Sequence, residues 1–168
     1  MINEFLQKRV TLPKASLQYL FVADRIAHQE EVILPALEKG QIVLSHRCFW
    51  SAIPYGIMDR SNGGYNYSVG DTLLVTQSVL SMYHQITIPD VTFYLDVSAQ
   101  TSLKRLKDMR VSAEYYETKE RLENVEKGYK WMIEKFPDEF TLIRGEESVD
   151  KVTEEIIKNL ESRIQNSE

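Results

Sequence analysis

Three short apolar runs, each set between segments of helical period, restrict the possible folds of this chain more than any other feature. Gln41-Ile42-Val43-Leu44-Ser45 is β-branched and apolar without alternation, which predicts a strand buried on both faces. Val91-Thr92-Phe93-Tyr94-Leu95-Asp96-Val97 is the clearest strand in the chain, and Phe140-Thr141-Leu142-Ile143 is a third. Around them, residues 16–39 repeat Leu17, Leu20, Phe21 and Ile26 at helical spacing, and Gly40 stands where a helix end needs positive φ. From about Asp71, Val75, Val79, Met82 and Ile86 stripe a helix that Pro89 stops. Ser98 is placed to cap a helix carrying Ala99, Leu103 and Leu106. Leu122, Val125, Tyr129, Met132 and Phe136 fall in register on a helix from about Ala113 to Phe136. Val149, Val152, Ile156 and Leu160 stripe a last one. Between Ser45 and Gly70, the residues Pro54, Gly56, Gly63 and Gly64 read as a loop. Apolar strands separated by helices predict an α/β fold with a parallel sheet and flanking helices. Three strands are few for that architecture, because both sheet edges need a partner or a cover.

The 168 residues suffice for one domain, residues 1–168, with a core of its own. An apolar content of 43% beside 27% charged residues is ordinary for a soluble globular chain. The net charge of −5 argues against a nucleic-acid partner, which calls for a basic face. It leaves a small anionic ligand open, since a few placed arginines suffice. No apolar run approaches a bilayer span, and the first residues form no signal peptide, so no membrane role is expected. The single cysteine, Cys48, excludes an internal disulfide and suits a reducing cytoplasm, where we expect the protein to reside.

Arginines are the first candidates for chemistry. Arg47 directly follows an apolar run, and in open α/β sheets ligands gather at the carboxyl ends of strands. A guanidinium there can grip a phosphate through two parallel hydrogen bonds. Arg25 lies one helical turn after Phe21, so ring and cation share a face, although pairing with Asp24 or a nearby glutamate is the simpler reading. His46 reads as a hydrogen-bonded residue rather than a ligand, His28 and His84 as surface residues, and Cys48 as a packing residue rather than a nucleophile. Tyr55 could wall a pocket or simply pack. The basic stretch from Lys104 to Arg110 suits a helix C-terminus by charge alone. The chain holds no G-x-x-x-x-G-K-[ST], no G-x-G-x-x-G after a strand, and no metal-spaced Cys/His set.

The order of these pieces resembles the thymidylate kinases. Leu20-Phe21-Val22-Ala23-Asp24-Arg25-Ile26-Ala27-His28 is similar to that family's L-F-x-A-D-R-x-x-H helix, and Val32 to Gly40 to the stretch that follows it. Ile42 to Cys48 is similar to the strand ending in Asp-Arg-Tyr, and Ser51, Tyr55 and Gly56 fit the next loop. Pro89 to Val97 resembles the P-D-L-T-x-x-L-D-V strand, and Leu122, Val125 and Tyr129 the helix after the lid.

The resemblance implies a P-loop-kinase-like parallel sheet lacking its first, central strand and its phosphate-binding loop, hence an isolated chain of marginal stability or one repaired by a partner. It implies ATP-dependent phosphorylation of dTMP to dTDP. Phe21 would stack on thymine and Arg25 would contact base or phosphate. Arg47 would hold the monophosphate, Ser51 would lie beside the base, and Tyr55 would crowd the sugar 2′ position. Arg110 would belong to the lid, and with Arg47 it is the expected catalytic pair. Mg2+ with ATP is the family's cofactor, but His46 replaces the magnesium-associated Asp, and an imidazole is a poor substitute for a hard oxygen ligand. Negligible turnover by these residues alone is therefore expected. The alternatives are a non-catalytic nucleotide-binding or interaction module, or a kinase for another nucleoside or nucleotide. By analogy, a homodimer through the helices near 16–39 and 71–86 is expected.

Overall fold

A computed structural model of the chain describes residues 2–60, 69–108 and 118–165. Helix α1 (Ile2–Leu6) leads through a short loop to α2 (Lys14–His28), which passes into a π-turn over Gln29–Ile33 and then α3 (Leu34–Glu38). The helix expected over 16–39 is thus one continuous rod with an inserted π-turn. Gln29 is buried in that turn, donating to the Gln85 carbonyl at 3.1 Å and accepting from the Thr87 amide at 2.6 Å. Both backbone groups of an otherwise irregular loop are satisfied in this way. The rod ends as expected at Gly40, with φ +70°.

The run Gln41–Ser45 departs from expectation, since it forms no strand. A strand exists only as a ladder, and no described strand lies beside this run. Ile42 and Leu44 are consequently 96% and 95% exposed, where burial on both faces was expected. A second correction follows immediately. Phe49–Ser51 form a 3-10 turn and Ala52–Arg60 a helix, α4, where Pro54 and Gly56 had suggested a loop. Proline is tolerated in a first turn, because its missing N–H has no partner there anyway. Gly56 serves packing: a Cβ at this position would lie 3.4 Å from Val79 Cγ2 and 3.6 Å from the Gln18 side chain.

Helix α5 (Val69–Met82) ends before Ile86, short of the Pro89 that was expected to stop it. Strand β1 (Phe93–Leu95) pairs in parallel with β2 (Thr141–Ile143), in the register Phe93 to Thr141 and Leu95 to Ile143. The parallel α/β character holds, with two strands among the described residues rather than three. Between them lie α6 (Ala99–Asp108) and α7 (Lys119–Lys135), and α8 (Val149–Gln165) closes the described chain. Ser98 caps α6 as expected, its Oγ accepting from the Thr101 amide at 3.2 Å. Glu146 accepts from both the amide and the hydroxyl of Ser98, which ties α6 to the turn after β2.

Helix α4 sits between α5 and α7. Ile53, Ile57 and Met132 are fully buried there, among Val75, Val79, Phe49 and Trp50. Trp50 is flanked by Phe49, Phe136 and Phe140, with ring centroids 4.8, 5.3 and 5.2 Å away. A smaller cluster of Phe5, Leu17 and Val125 joins α1, α2 and α7. No helix among the described residues is long and apolar enough to cross a membrane.

Candidate functional site

The site is built where the run Gln41–Ser45 leads into α4. Arg47 makes the turn with φ +72°, a left-handed conformation that costs a residue bearing a Cβ about 1 kcal/mol. Backbone strain of this kind collects at functional positions. The Ser45 hydroxyl donates to the Arg47 carbonyl at 2.8 Å and braces the turn. The guanidinium carbon of Arg47 then lies 5.1 Å from the centroid of the Tyr55 ring, a cation–π contact with helix α4.

Four residues after Arg47, Ser51 closes the 3-10 turn and is buried. Its Oγ accepts a hydrogen bond from Tyr129 Oη on α7 at 2.8 Å. The Tyr129 ring is held 5.2 Å from that of Tyr94 on β1. Phe21, Tyr55 and Tyr129 all pack against the Phe5–Leu17–Val125 cluster, so three aromatic rings from three helices meet one small core.

Arg25 projects from α2 toward the end of α5. Its Nη1 donates to Tyr83 Oη at 3.1 Å, and the guanidinium stands 5.7 Å from the centroid of the same ring. The partner is a phenol, so the simple pairing with Asp24 or a nearby glutamate is not what the structure holds. Burial raises the Tyr83 pKa, only partly opposed by the charge of Arg25, and the phenol stays neutral at pH 7. Among the described residues, the positive charge of Arg25 is therefore held in place by a neutral partner. The same charge reaches the half-buried Cys48, whose thiol burial pushes up. Cys48 thus behaves as a packing residue, as its sequence context suggests.

Arg47, Ser51 and Tyr55 therefore form one linked group, Phe21 shares its small core, and Arg25 stands within electrostatic range through Cys48. His28, His46 and His84 are exposed. Arg110, with its neighbours Met109, Val111 and Ser112, lies outside the described residues. The reading of single residues missed Tyr83 as the holder of Arg25 and Tyr129 as the donor to Ser51. Each tyrosine sits in or next to an apolar helical stripe, which reads as core. The most evident surface grooves lie elsewhere, one along α8 with Arg144, Lys151, Glu155 and Lys158, the other between Asp96, Glu126 and Glu146. Both are open and lined by charges of both signs, so neither concentrates charge for an anion.

Three tyrosines, Tyr83 buried and Tyr94 and Tyr129 half-buried, also give the fold an alkaline limit. Burial is the largest cause raising the pKa of Tyr83, Tyr94 and Tyr129, so each binds its proton more tightly folded than unfolded. Their contribution is complete below the unfolded value of about 10 and is lost as pH rises through the higher folded values. We expect the urea midpoint to hold steady from pH 7 to 9 and to fall steeply above pH 10. A midpoint unchanged at pH 11 would show that these phenols are not desolvated.

Residues 1–156 match the family model described as thymidylate kinase. The chain belongs to the thymidylate kinase family. It is 33% identical over 161 residues to the thymidylate kinase of Thermosipho africanus, covering 95% of this chain and 75% of that protein. It is 27% identical over 148 residues to the thymidylate kinase of Lactobacillus acidophilus, covering 86% of this chain and 64% of the relative. A probable thymidylate kinase of Thermococcus kodakarensis is 29% identical over 145 residues, with the same two coverages. The chain thus spans a little under two thirds of the length of these last two relatives.

Thymidylate kinases use ATP with Mg2+, an ion that favours hard oxygen ligands. Where the resemblance calls for a carboxylate, this chain carries the exposed imidazole of His46. Among the described residues no three His, Cys, Asp or Glu side chains come together as a metal site. His46 therefore does not supply the carboxylate that the family would offer a magnesium ion at this position.

Proposed function

We propose that this thymidylate-kinase-like chain carries the acceptor-nucleotide half of the family's site, and that it binds dTMP without transferring phosphate by its own residues. The observation that carries this reading is the placement of Arg47 against the Tyr55 ring at the start of α4, with Phe21 on the same small core and Arg25 held by the Tyr83 hydroxyl. An anion meeting these guanidiniums would face oriented cations that can fork onto a phosphate. In this reading Arg47 forks onto the monophosphate, Phe21 lies against the pyrimidine face, Ser51 meets the base edge and Tyr55 excludes a 2′-hydroxyl. Phosphoryl transfer rests on charge neutralisation by a loop lysine, a metal ion and arginines around the transferred group. When bound, magnesium would supply that neutralisation, and where the family offers it a carboxylate this chain carries His46.

We propose further that residues 1–168 act as one domain, and that copies pair through the rod of residues 14–38 and α5, where Tyr19 and Val32 of the first and Leu73 and Leu74 of the second are exposed. The exposed Ile42 and Leu44 support the expectation that the isolated chain is less stable than an ordinary domain.

A pair of thermal melts tests the functional reading. At a hundredfold excess over its dissociation constant, a ligand adds about 2.7 kcal/mol, which for a chain of this size raises the midpoint by roughly 5–10 °C. dTMP is expected to produce such a shift, while ATP with Mg2+ produces none and the mixture yields no dTDP. A shift with ATP alone, or steady dTDP formation, would overturn the acceptor-only reading.

A further inference from the structure

Gln29 is polar yet only 3% exposed, and it stands where the long rod changes its winding. Its amide donates to the carbonyls of Arg25 and Ile26, while its own carbonyl accepts from the Leu34 amide. Such π-turns are uncommon and collect at functional positions. The side chain leaves the rod to hold the connection between α5 and β1. Its Nε2 donates to the Gln85 carbonyl at 3.1 Å, and its Oε1 accepts from the Thr87 amide at 2.6 Å. A backbone carbonyl can only accept and a backbone N–H only donate, so these partners fix which way the amide faces. One turn earlier on the same helix face, Arg25 Nη1 donates to Tyr83 Oη at 3.1 Å. Tyr83 and Gln85 belong to one tight turn, closed by the Ile86 amide on the Tyr83 carbonyl at 3.0 Å. Arg25 and Gln29 thus grip a single short segment, residues 83–87, from two successive turns of the rod.

We infer that Gln29 is a positioning residue for Arg25: by fixing residues 83–87 against the rod, it sets where the Tyr83 hydroxyl stands and so where the guanidinium points. The inference rests on the acceptor-nucleotide reading above and adds to it a residue that acts only through Arg25. A free arginine side chain samples many rotamers, and holding it before the ligand arrives spares that ordering at binding. A phenol can hold it only if the phenol is itself held. The ring of Phe49, 6.0 Å from that of Tyr83, braces it from the turn before α4, and Gln29 braces its backbone segment from the rod. Without the Gln29 amide, the Gln85 carbonyl and the Thr87 amide lose their partner and the segment shifts toward water to regain one. An apolar side chain could fill the space under this segment without the cost of burying an amide, so packing alone does not account for glutamine here.

Titration calorimetry of the full chain with dTMP tests this in the wild type, Gln29→Met, Arg25→Ala and the double variant, at a temperature well below every melt. Gln29→Met keeps the length of the side chain and removes both hydrogen bonds. Gln29→Asn keeps an amide one methylene too short to bridge both partners, and answers the same question if the methionine variant does not fold. Arg25→Ala is expected to weaken dTMP about tenfold, and either Gln29 change about fivefold. In the Arg25→Ala background the Gln29 change should add less than about twofold, because its effect passes through the arginine. If Gln29 only supported the fold, its loss would weaken dTMP by the same factor with or without Arg25. That result, or a Gln29 or Arg25 variant that binds like the wild type, overturns the inference while leaving the acceptor reading intact. A wild type that binds no dTMP overturns both.

Discussion

Arg47→Ala should weaken dTMP binding by about a hundredfold. The expected loss follows from two charge-assisted hydrogen bonds to one phosphate, together worth roughly 3 kcal/mol. The turn at Arg47 allows this loss to be separated from a folding defect. Because φ there is +72°, alanine keeps the strain of a Cβ in the left-handed region, whereas glycine relieves it. Arg47→Gly should therefore bind dTMP as poorly as Arg47→Ala while melting no lower than the wild type. Affinity retained within threefold in both variants would remove Arg47 from the phosphate site. If the glycine variant instead binds normally and the alanine variant does not, the turn geometry matters and the guanidinium does not.

The second large effect concerns the core beneath the site. Met132 is fully buried on α7 against α4, the helix that carries Tyr55 and follows directly from Ser51. Met132→Ala leaves a cavity between these helices and should cost about 2–5 kcal/mol in urea unfolding. Met132→Leu, of similar volume, should cost less than about 1.5 kcal/mol. If the alanine variant costs under 1 kcal/mol, α4 and α7 do not pack as described. Because α4 and α7 hold opposite sides of the Ser51–Tyr129 bond, dTMP affinity should fall in the alanine variant even where it remains folded.

How much of this was legible in the sequence depended on how local the cause was. Strand β1, strand β2, helices α6 and α8 and the Ser98 cap follow from periodicity and one hydroxyl, all read within a few residues. Helix α4 was hidden because Pro54 and Gly56 are breakers in isolation. The proline is harmless in a first turn, and the glycine answers to Val79 and Gln18, which lie far away in sequence. The run Gln41–Ser45 has the composition of a strand, but its pairing depends on a neighbour that local pattern cannot supply. At the site, Phe21, Arg25, Arg47, Ser51 and Tyr55 could be named from the family's motifs. The tyrosines that hold Arg25 and Ser51 could not, because a hydroxyl at the end of an apolar stripe shows no partner until the chain has folded.

The central claim is that a nucleoside monophosphate is recognised by oriented arginines, and calorimetric titration of the wild-type chain with dTMP and with thymidine tests it most directly. The account predicts one dTMP bound per chain, with thymidine at least about tenfold weaker because it lacks the phosphate those arginines hold. Thymidine binding as tightly as dTMP, or no dTMP binding up to millimolar concentration, would contradict it.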